Sequence, residues 1–302
     1  MADSAAGNVL FGGVDSAKYS GNLISMPVVP DTAGAYTKLS MPLTGISFSA
    51  SGQNFTFTTN TFMSPALIDS GTTLMLFSDD IANALYTSLG VTTKSQIPML
   101  PCSYGNDPSA KMTFTFNGAN GAKIDVLLAN LLATIDYKLS NGQQACEFLV
   151  RGGQPSGVIL LGDSFMRSAY LVYDLQNNKI AIAQAKFNET TSNVKEINSD
   201  GIPGASVMSQ IVGGAAVPTA ATSVRPGADP TASTSGGAGG GLETTAAVPT
   251  FQITATAAGQ PAFTKNAAPL SAGRVPAMSI FGVAAGTLTL LSVFGGALIL
   301  WV

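Results

Sequence analysis

The chain has 302 residues, of which only 14 are Lys or Arg and 17 are Asp or Glu, and it contains no His. That composition excludes Ser-His-Asp and Cys-His catalysis, HExxH zinc sites and histidine metal cages, and its two Cys are too few for a zinc ribbon or an iron–sulfur cluster. A net charge of −3 without a basic cluster argues against a nucleic-acid partner, so any chemistry falls to carboxylates, hydroxyls and backbone amides.

Residues 1–190 read as an all-β domain. Short runs rich in Val, Ile, Phe, Thr and Tyr alternate with Gly, Asn, Pro and Ser punctuation. The first strand signal, Val9-Leu10-Phe11, runs into Gly12-Gly13. Ile46-Ser47-Phe48-Ser49 and Phe55-Thr56-Phe57-Thr58-Thr59 alternate apolar and polar residues on either side of Gly52-Gln53-Asn54, the pattern of a hairpin with one buried face. Leu67-Ile68 then brings a strand to Asp69. One helix follows: Ser78 can cap it, Asp79 and Asp80 suit its N-terminal dipole, and Gly90 can end it. Ile81, Ala84, Leu85 and Leu89 supply its buried stripe. Gly157 to Asp163 is an apolar strand ending in Gly162. Residues 170–174 and 179–183 flank Gln176-Asn177-Asn178 as a second hairpin. Cys102 and Cys146 are expected to form one disulfide, worth about 4 kcal/mol by loop-closure entropy. Asn54-Phe55-Thr56 and Asn188-Glu189-Thr190 are N-glycosylation acceptors. Acceptor sites and a disulfide together point to the secretory pathway.

Composition shifts after residue 190. Residues 191–270 are dominated by Gly, Ala, Ser, Thr and Pro, with the run from Thr231 to Gly241 as the extreme. Few large apolar side chains are available to offset the entropy of ordering, so a disordered stalk is expected there. Residues 271–302 carry a single charge, Arg274, and end in a long apolar run. Small residues, a short spacer and a terminal apolar run are the signal for a glycosylphosphatidylinositol (GPI) anchor, with Asn266 and Ser271 as candidate attachment residues. An ordinary C-terminal membrane tail is the other reading. It fits less well because no Lys or Arg follows the apolar run.

The sharpest local feature is Leu67-Ile68-Asp69-Ser70-Gly71-Thr72-Thr73. Gly71 permits a close backbone approach, and its N–H and the Thr72 hydroxyl can both serve the Asp69 carboxylate. Alone, Asp-Ser-Gly is a commonplace turn. Gly162, at the end of the second apolar strand, lets that strand pass close to the turn.

These residues carry a resemblance. Leu67 to Thr73 resembles the second active-site motif of pepsin-like (family A1) aspartic proteases, and Val158 to Leu175 is similar to their apolar-apolar-Gly segment. Phe11 to Gly21 resembles the opening of their C-terminal half. With the stalk and anchor signal, the resemblance narrows to the C-terminal lobe of the fungal yapsin-like, GPI-anchored group. It implies an all-β pepsin-like lobe acting as an aspartic endopeptidase of the cell surface, on peptide or protein substrates and without metal or organic cofactor. It makes Asp69 the catalytic aspartate of this lobe, Ser70 the hydroxyl gripping the other lobe, and Gly71 and Thr72 the donors that orient the carboxylate. It makes Thr73 a substrate contact, Gly162 the glycine under the active-site loop, and Cys102–Cys146 the lobe's disulfide.

One departure stands out. The family mechanism needs two aspartates sharing a proton, yet Asp15-Ser16-Ala17 and Asp31-Thr32-Ala33 lack the glycine and the two large apolar residues before it. Both are rejected as the partner. The N-terminal lobe is expected to be missing, and residues 1–8 are not a signal peptide. The chain alone is therefore expected to be inactive. The alternatives are a non-catalytic anchored surface module or gene remnant, or a symmetric dimer pairing two copies of Asp69.

Overall fold

The computed structural model describes residues 8–31, 33–154, 158–199 and 201–212, together with the backbone of 298–301. Strands β1 (Asn8–Phe11), β2 (Gly13–Asp15), β3 (Tyr19–Pro27), β4 (Ser40–Ala50), β5 (Gln53–Thr56), β6 (Ser64–Ile68) and β7 (Met75–Leu76) precede helix α1 (Asp79–Leu89). Next come β8 (Thr92–Lys94), β9 (Ile97–Pro101), β10 (Lys111–Phe116), β11 (Lys123–Leu127), β12 (Leu132–Lys138), β13 (Gln144–Phe148), β14 (Val150–Arg151) and β15 (Ile159–Leu161). The single-turn helix α2 (Asp163–Met166) leads to β16 (Ala169–Asp174), β17 (Lys179–Ala185), β18 (Val194–Glu196), β19 (Ala205–Val207) and β20 (Leu298–Trp301).

The architecture is all-β, as the punctuation of the sequence implies. One sheet runs β11-β10-β4-β6-β15-β7-β14 with β5 beside β4, and another runs β1-β20-β16-β17-β3-β19. A smaller sheet, β12-β13-β9-β8, and the pair β18-β2 complete the described strands. Alternation places the core. In β10, Met112, Phe114 and Phe116 are buried while Lys111, Thr113 and Thr115 are only partly so. Phe165 of α2 packs edge-on against Phe114 and Phe116, with ring centroids 5.2 and 5.9 Å away. Each such buried ring stabilises the fold by roughly 1.5–3 kcal/mol. β16 is buried along its whole length because it serves two cores. Leu171 and Tyr173 face the main one, whereas Tyr170 and Val172 join Val14 and Leu23 in a second. A strand covered on both faces has no polar alternation.

The hairpins form with small shifts. The first turns through Ser51-Gly52, both at positive φ (48° and 78°), so Gln53 and Asn54 already belong to β5. The second pairs Asp174 with Lys179. Helix α1 ends at Gly90 in the left-handed region, as expected. Ser78 stands at its N-cap, but its side chain makes no capping hydrogen bond. The buried stripe is Ile81, Ala82, Leu85, Ser88 and Leu89, with Ala84 half-buried. Cys102 and Cys146 are bonded, joining the end of β9 to β13.

The boundary expected at residue 190 needs correction. Residues 191–199 and 201–212, assigned to the stalk from composition, belong to the lobe. β18 pairs with β2, and β19 lies parallel to β3. Asn117, fully buried at φ +56°, donates from Nδ2 to the Gln210 carbonyl at 2.9 Å and accepts from the Val212 N–H at 2.7 Å. Order here comes from distant partners, not from local apolar content. Leu298–Trp301, read from the sequence as the end of an anchor signal or membrane tail, is the strand between β1 and β16. Residues 213–297, with Asn266 and Ser271, lie outside the described residues. Among the described residues no helix is long and apolar enough to cross a membrane.

Candidate active site

Asp69 stands one residue beyond β6. β15 lies parallel to β6 and antiparallel to β7, so Leu160 pairs with Leu67 on one side and Leu76 on the other. The chain therefore leaves β6, turns at the aspartate, and returns as β7 on the far side of β15. The Asp69 N–H donates to the Leu161 carbonyl at 3.1 Å, which continues the parallel pairing into the turn. The Thr72 N–H closes the turn on the Asp69 carbonyl at 3.3 Å.

The carboxylate has a separate donor for each oxygen. The Gly71 N–H donates to Oδ1 at 2.9 Å, and the Thr72 hydroxyl donates to Oδ2 at 2.7 Å. Together they fix the plane and direction of the group. Asp69 and Thr72 are half-buried, whereas Ser70, Gly71 and Thr73 are exposed. Among the described residues the ion pairs are Lys111–Asp125, Arg151–Glu147, Arg167–Asp163 and Lys186–Glu189, so no cation ties Asp69 down as a scaffold contact.

Gly162 lies against the turn. A Cβ there would sit 2.1 Å from the Thr72 carbonyl oxygen and 2.4 Å from that of Leu74. Beyond it the chain turns into α2, and the free N–H groups at the start of a helix need acceptors. The Asp163 N–H donates to the Thr72 carbonyl at 2.7 Å and the Ser164 N–H to that of Thr73 at 3.1 Å. Sequence reading did not single out these two donors. The available signal was the glycine followed by a helix start.

The two imitation motifs are structural. The Asp15 carboxylate accepts from the Ala17 N–H at 3.0 Å, the Ser192 hydroxyl at 2.7 Å and the Asn193 N–H at 2.7 Å. Burial works to raise its pKa, but these hydrogen bonds, chiefly from Asn193, outweigh it and hold the group below the usual carboxylate range. Asp31 folds its own loop by accepting from the N–H groups of Ala35 and Ala33 and the Thr37 hydroxyl, which likewise lower its pKa. Among the described residues no group of three or more Cys, Asp and Glu could hold a metal ion. Asn54 and Asn188 are both exposed, on β5 and in the turn after β17 respectively.

A paired strand set carrying a doubly donated aspartate, over a glycine with no room for a side chain, matches a known family. The model of the eukaryotic aspartyl proteases matches residues 1–185. The chain belongs to this family. It is 35% identical over 216 residues to the probable aspartic-type endopeptidase opsB of Aspergillus fumigatus, covering 70% of this chain and 43% of that one. It is 35% identical over 202 residues to aspartic proteinase 3 of Saccharomyces cerevisiae, covering 65% of this chain and 33% of that one. Secreted aspartic protease 1 of Candida albicans is 34% identical over 190 residues, 63% of this chain and 44% of that protein. The chain thus spans less than half the length of these aspartyl protease relatives.

Proposed function

We propose that the chain supplies the C-terminal lobe of a fungal aspartic endopeptidase, with Asp69 as one of two carboxylates that activate water for peptide-bond hydrolysis. The observation that carries this reading is the half-exposed Asp69 carboxylate held by the Gly71 N–H and the Thr72 hydroxyl. Two carboxylates held close together share one proton, because both cannot ionise. The ionised member takes a proton from water as the oxygen attacks the peptide carbon, and the protonated member polarises the carbonyl. Collapse then breaks the C–N bond as the leaving amine takes up a proton. The second aspartate comes from an N-terminal lobe outside these 302 residues. Ser70 reaches that lobe, Thr73 meets the substrate backbone, and Gly162 keeps the turn seated.

The disulfide and the likeness to secreted aspartic protease 1 of Candida albicans support passage through the secretory pathway. The small residues and uncharged tail support a GPI anchor at Asn266 or Ser271, holding the product at the cell surface. Cleavage there would also remove β20 and free the place between β1 and β16 for a strand of the partner lobe.

The test is co-expression, in a secreting fungal host, of this chain with an aspartyl protease N-terminal lobe that bears Asp-Thr-Gly. Hydrolysis of a fluorogenic peptide at acid pH should be blocked by pepstatin and should fall about 10³-fold or more in Asp69→Asn. The chain alone should show none. Undiminished cleavage by Asp69→Asn would sink the assignment. No cleavage with any partner lobe would favour the non-catalytic surface module.

A further inference from the structure

The outward face of the large sheet carries a feature unrelated to the aspartate turn. In β4, β5, β10 and β11 the residues alternate, so Phe48, Met112, Phe114, Ile124 and Val126 go to the core. The opposite face is polar. Register aligns Asn54 of β5 with Ser49 of β4, Ser49 with Lys111 of β10, and Lys111 with Leu127 of β11. The next row on the same face is Thr56, Ser47, Thr113 and Asp125. Lys111 and the Thr113 hydroxyl both bond to the Asp125 carboxylate. The Gln184 side chain of β17 closes onto this edge, accepting from the Asp125 N–H at 2.8 Å. Phe187 follows β17, 47% exposed, as Leu127 is 41% exposed.

These elements enclose a groove of about 670 Å³. Its lining includes Asn54, Lys111, Asp125, Leu127 and Phe187. Two properties identify what fits it. The groove offers exposed apolar surface, an aromatic ring and a short aliphatic wall, beside a row of amide, hydroxyl and charged groups. That pairing suits a sugar, whose C–H face is apolar and whose hydroxyls and acetamide need hydrogen-bond partners. In addition, Asn54 is itself part of the lining. It heads Asn54-Phe55-Thr56, and both Asn54 and Thr56 are exposed on one face of β5. A glycan attached there starts at the groove wall.

We infer that Asn54 is N-glycosylated and that the chitobiose core of its glycan lies in this groove, packed against Phe187 and Leu127. The glycan thereby covers two of the larger apolar side chains that the lobe exposes. Asn188, next to Phe187, is exposed at φ +57° and makes no part of the lining, so a glycan there does not start from the groove wall. The inference rests on the secretory route proposed above and not on catalysis.

The test uses the full chain expressed in a fungal host and recovered from its secretory pathway or cell surface, without regard to peptidase activity. Peptide mass spectrometry reads occupancy at Asn54 and Asn188, and a time course of native endoglycosidase H digestion reads access to each chitobiose bond. Asn54 should be occupied, and its glycan should be released about tenfold more slowly in the native protein than after denaturation, since enzyme access requires the groove to open. Phe187→Ala should remove most of that protection without changing occupancy. Leu127→Ser gives the same readout from the other wall if Phe187→Ala is poorly secreted. An unoccupied Asn54 in secreted protein whose Cys102–Cys146 bond has formed overturns the inference and leaves the secretory route standing. Equal release rates in native and denatured protein overturn the seating in the groove.

Discussion

At position 162 the requirement is space, not torsion. Its φ of −88° and ψ of −159° are open to most residues, yet a Cβ would lie 2.1 Å from a backbone oxygen. Backbone cannot swing aside as a side chain can, so Gly162→Ala must part β15 from the aspartate turn. The expected cost is about 3 kcal/mol, the upper end for overpacking, or a melting temperature about 6–12 °C lower in a domain of this size. Circular dichroism melts would check it. Gly71 offers a contrast, because a Cβ there meets only the Asp69 carboxyl, with Oδ1 nearest at 3.2 Å. Gly71→Ala should leave the melting temperature within about 2 °C, while displacing the carboxylate and lowering cleavage in the co-expressed enzyme. A Gly71→Ala variant that melts as low as Gly162→Ala would show that turn to be structural. Both glycines were legible in the sequence, since close approach leaves few other choices. The Asp163 and Ser164 N–H donors were not, because main-chain groups leave no letter behind.

Among the elements, β18 shows how a carboxylate can hold a segment of poor apolar content. Its neighbours Ser192 and Asn193 bond to Asp15, and Asp15 donates its own N–H to the Tyr170 hydroxyl at 2.8 Å. The folded-state pKa of Asp15 lies below its unfolded value, near 3.9. Its contribution is therefore complete above that unfolded value and is lost as pH falls through the folded one. Asp31 and Asp107 are shifted the same way, Asp107 chiefly by hydrogen bonds from Ser109. The lobe should hold its melting temperature from neutrality to about pH 5 and lose it progressively below about pH 4. Asp15→Ala should cost about 1–3 kcal/mol at neutral pH, flatten the acid limb, and speed amide exchange across Val194–Glu196. An unchanged acid limb would mean that other carboxylates dominate. The hairpins and α1 could be read from the sequence because their signals are local: alternation, a turn, a glycine stop. Residues 193–199 and 201–212 could not, since their partners Asp15, Ser25 and Asn117 are remote in the chain and the segment looks like its stalk-like neighbours.

For the whole molecule, the consequence turns on how β1 is held. Its described partner is β20, which also touches β16 at Tyr173. Ending the chain after Val212 removes that partner and leaves facing strands with unpaired N–H and C=O groups. Such edges recruit strands from other molecules. β1 adds to this by exposing Val9 (45%) and Phe11 (70%). The 1–212 fragment should therefore self-associate in sedimentation velocity, with rapid hydrogen exchange at Asn8–Phe11. The full chain should be less prone to both. A partner lobe that fills the same place should restore a discrete species and protect β1, even when it carries no aspartate and supports no catalysis. That last comparison separates assembly from chemistry. A monodisperse 1–212 monomer with a protected β1 would show that the sheet closes without an added strand, and the case for a second lobe would then rest on Asp69 and on the greater length of the relatives.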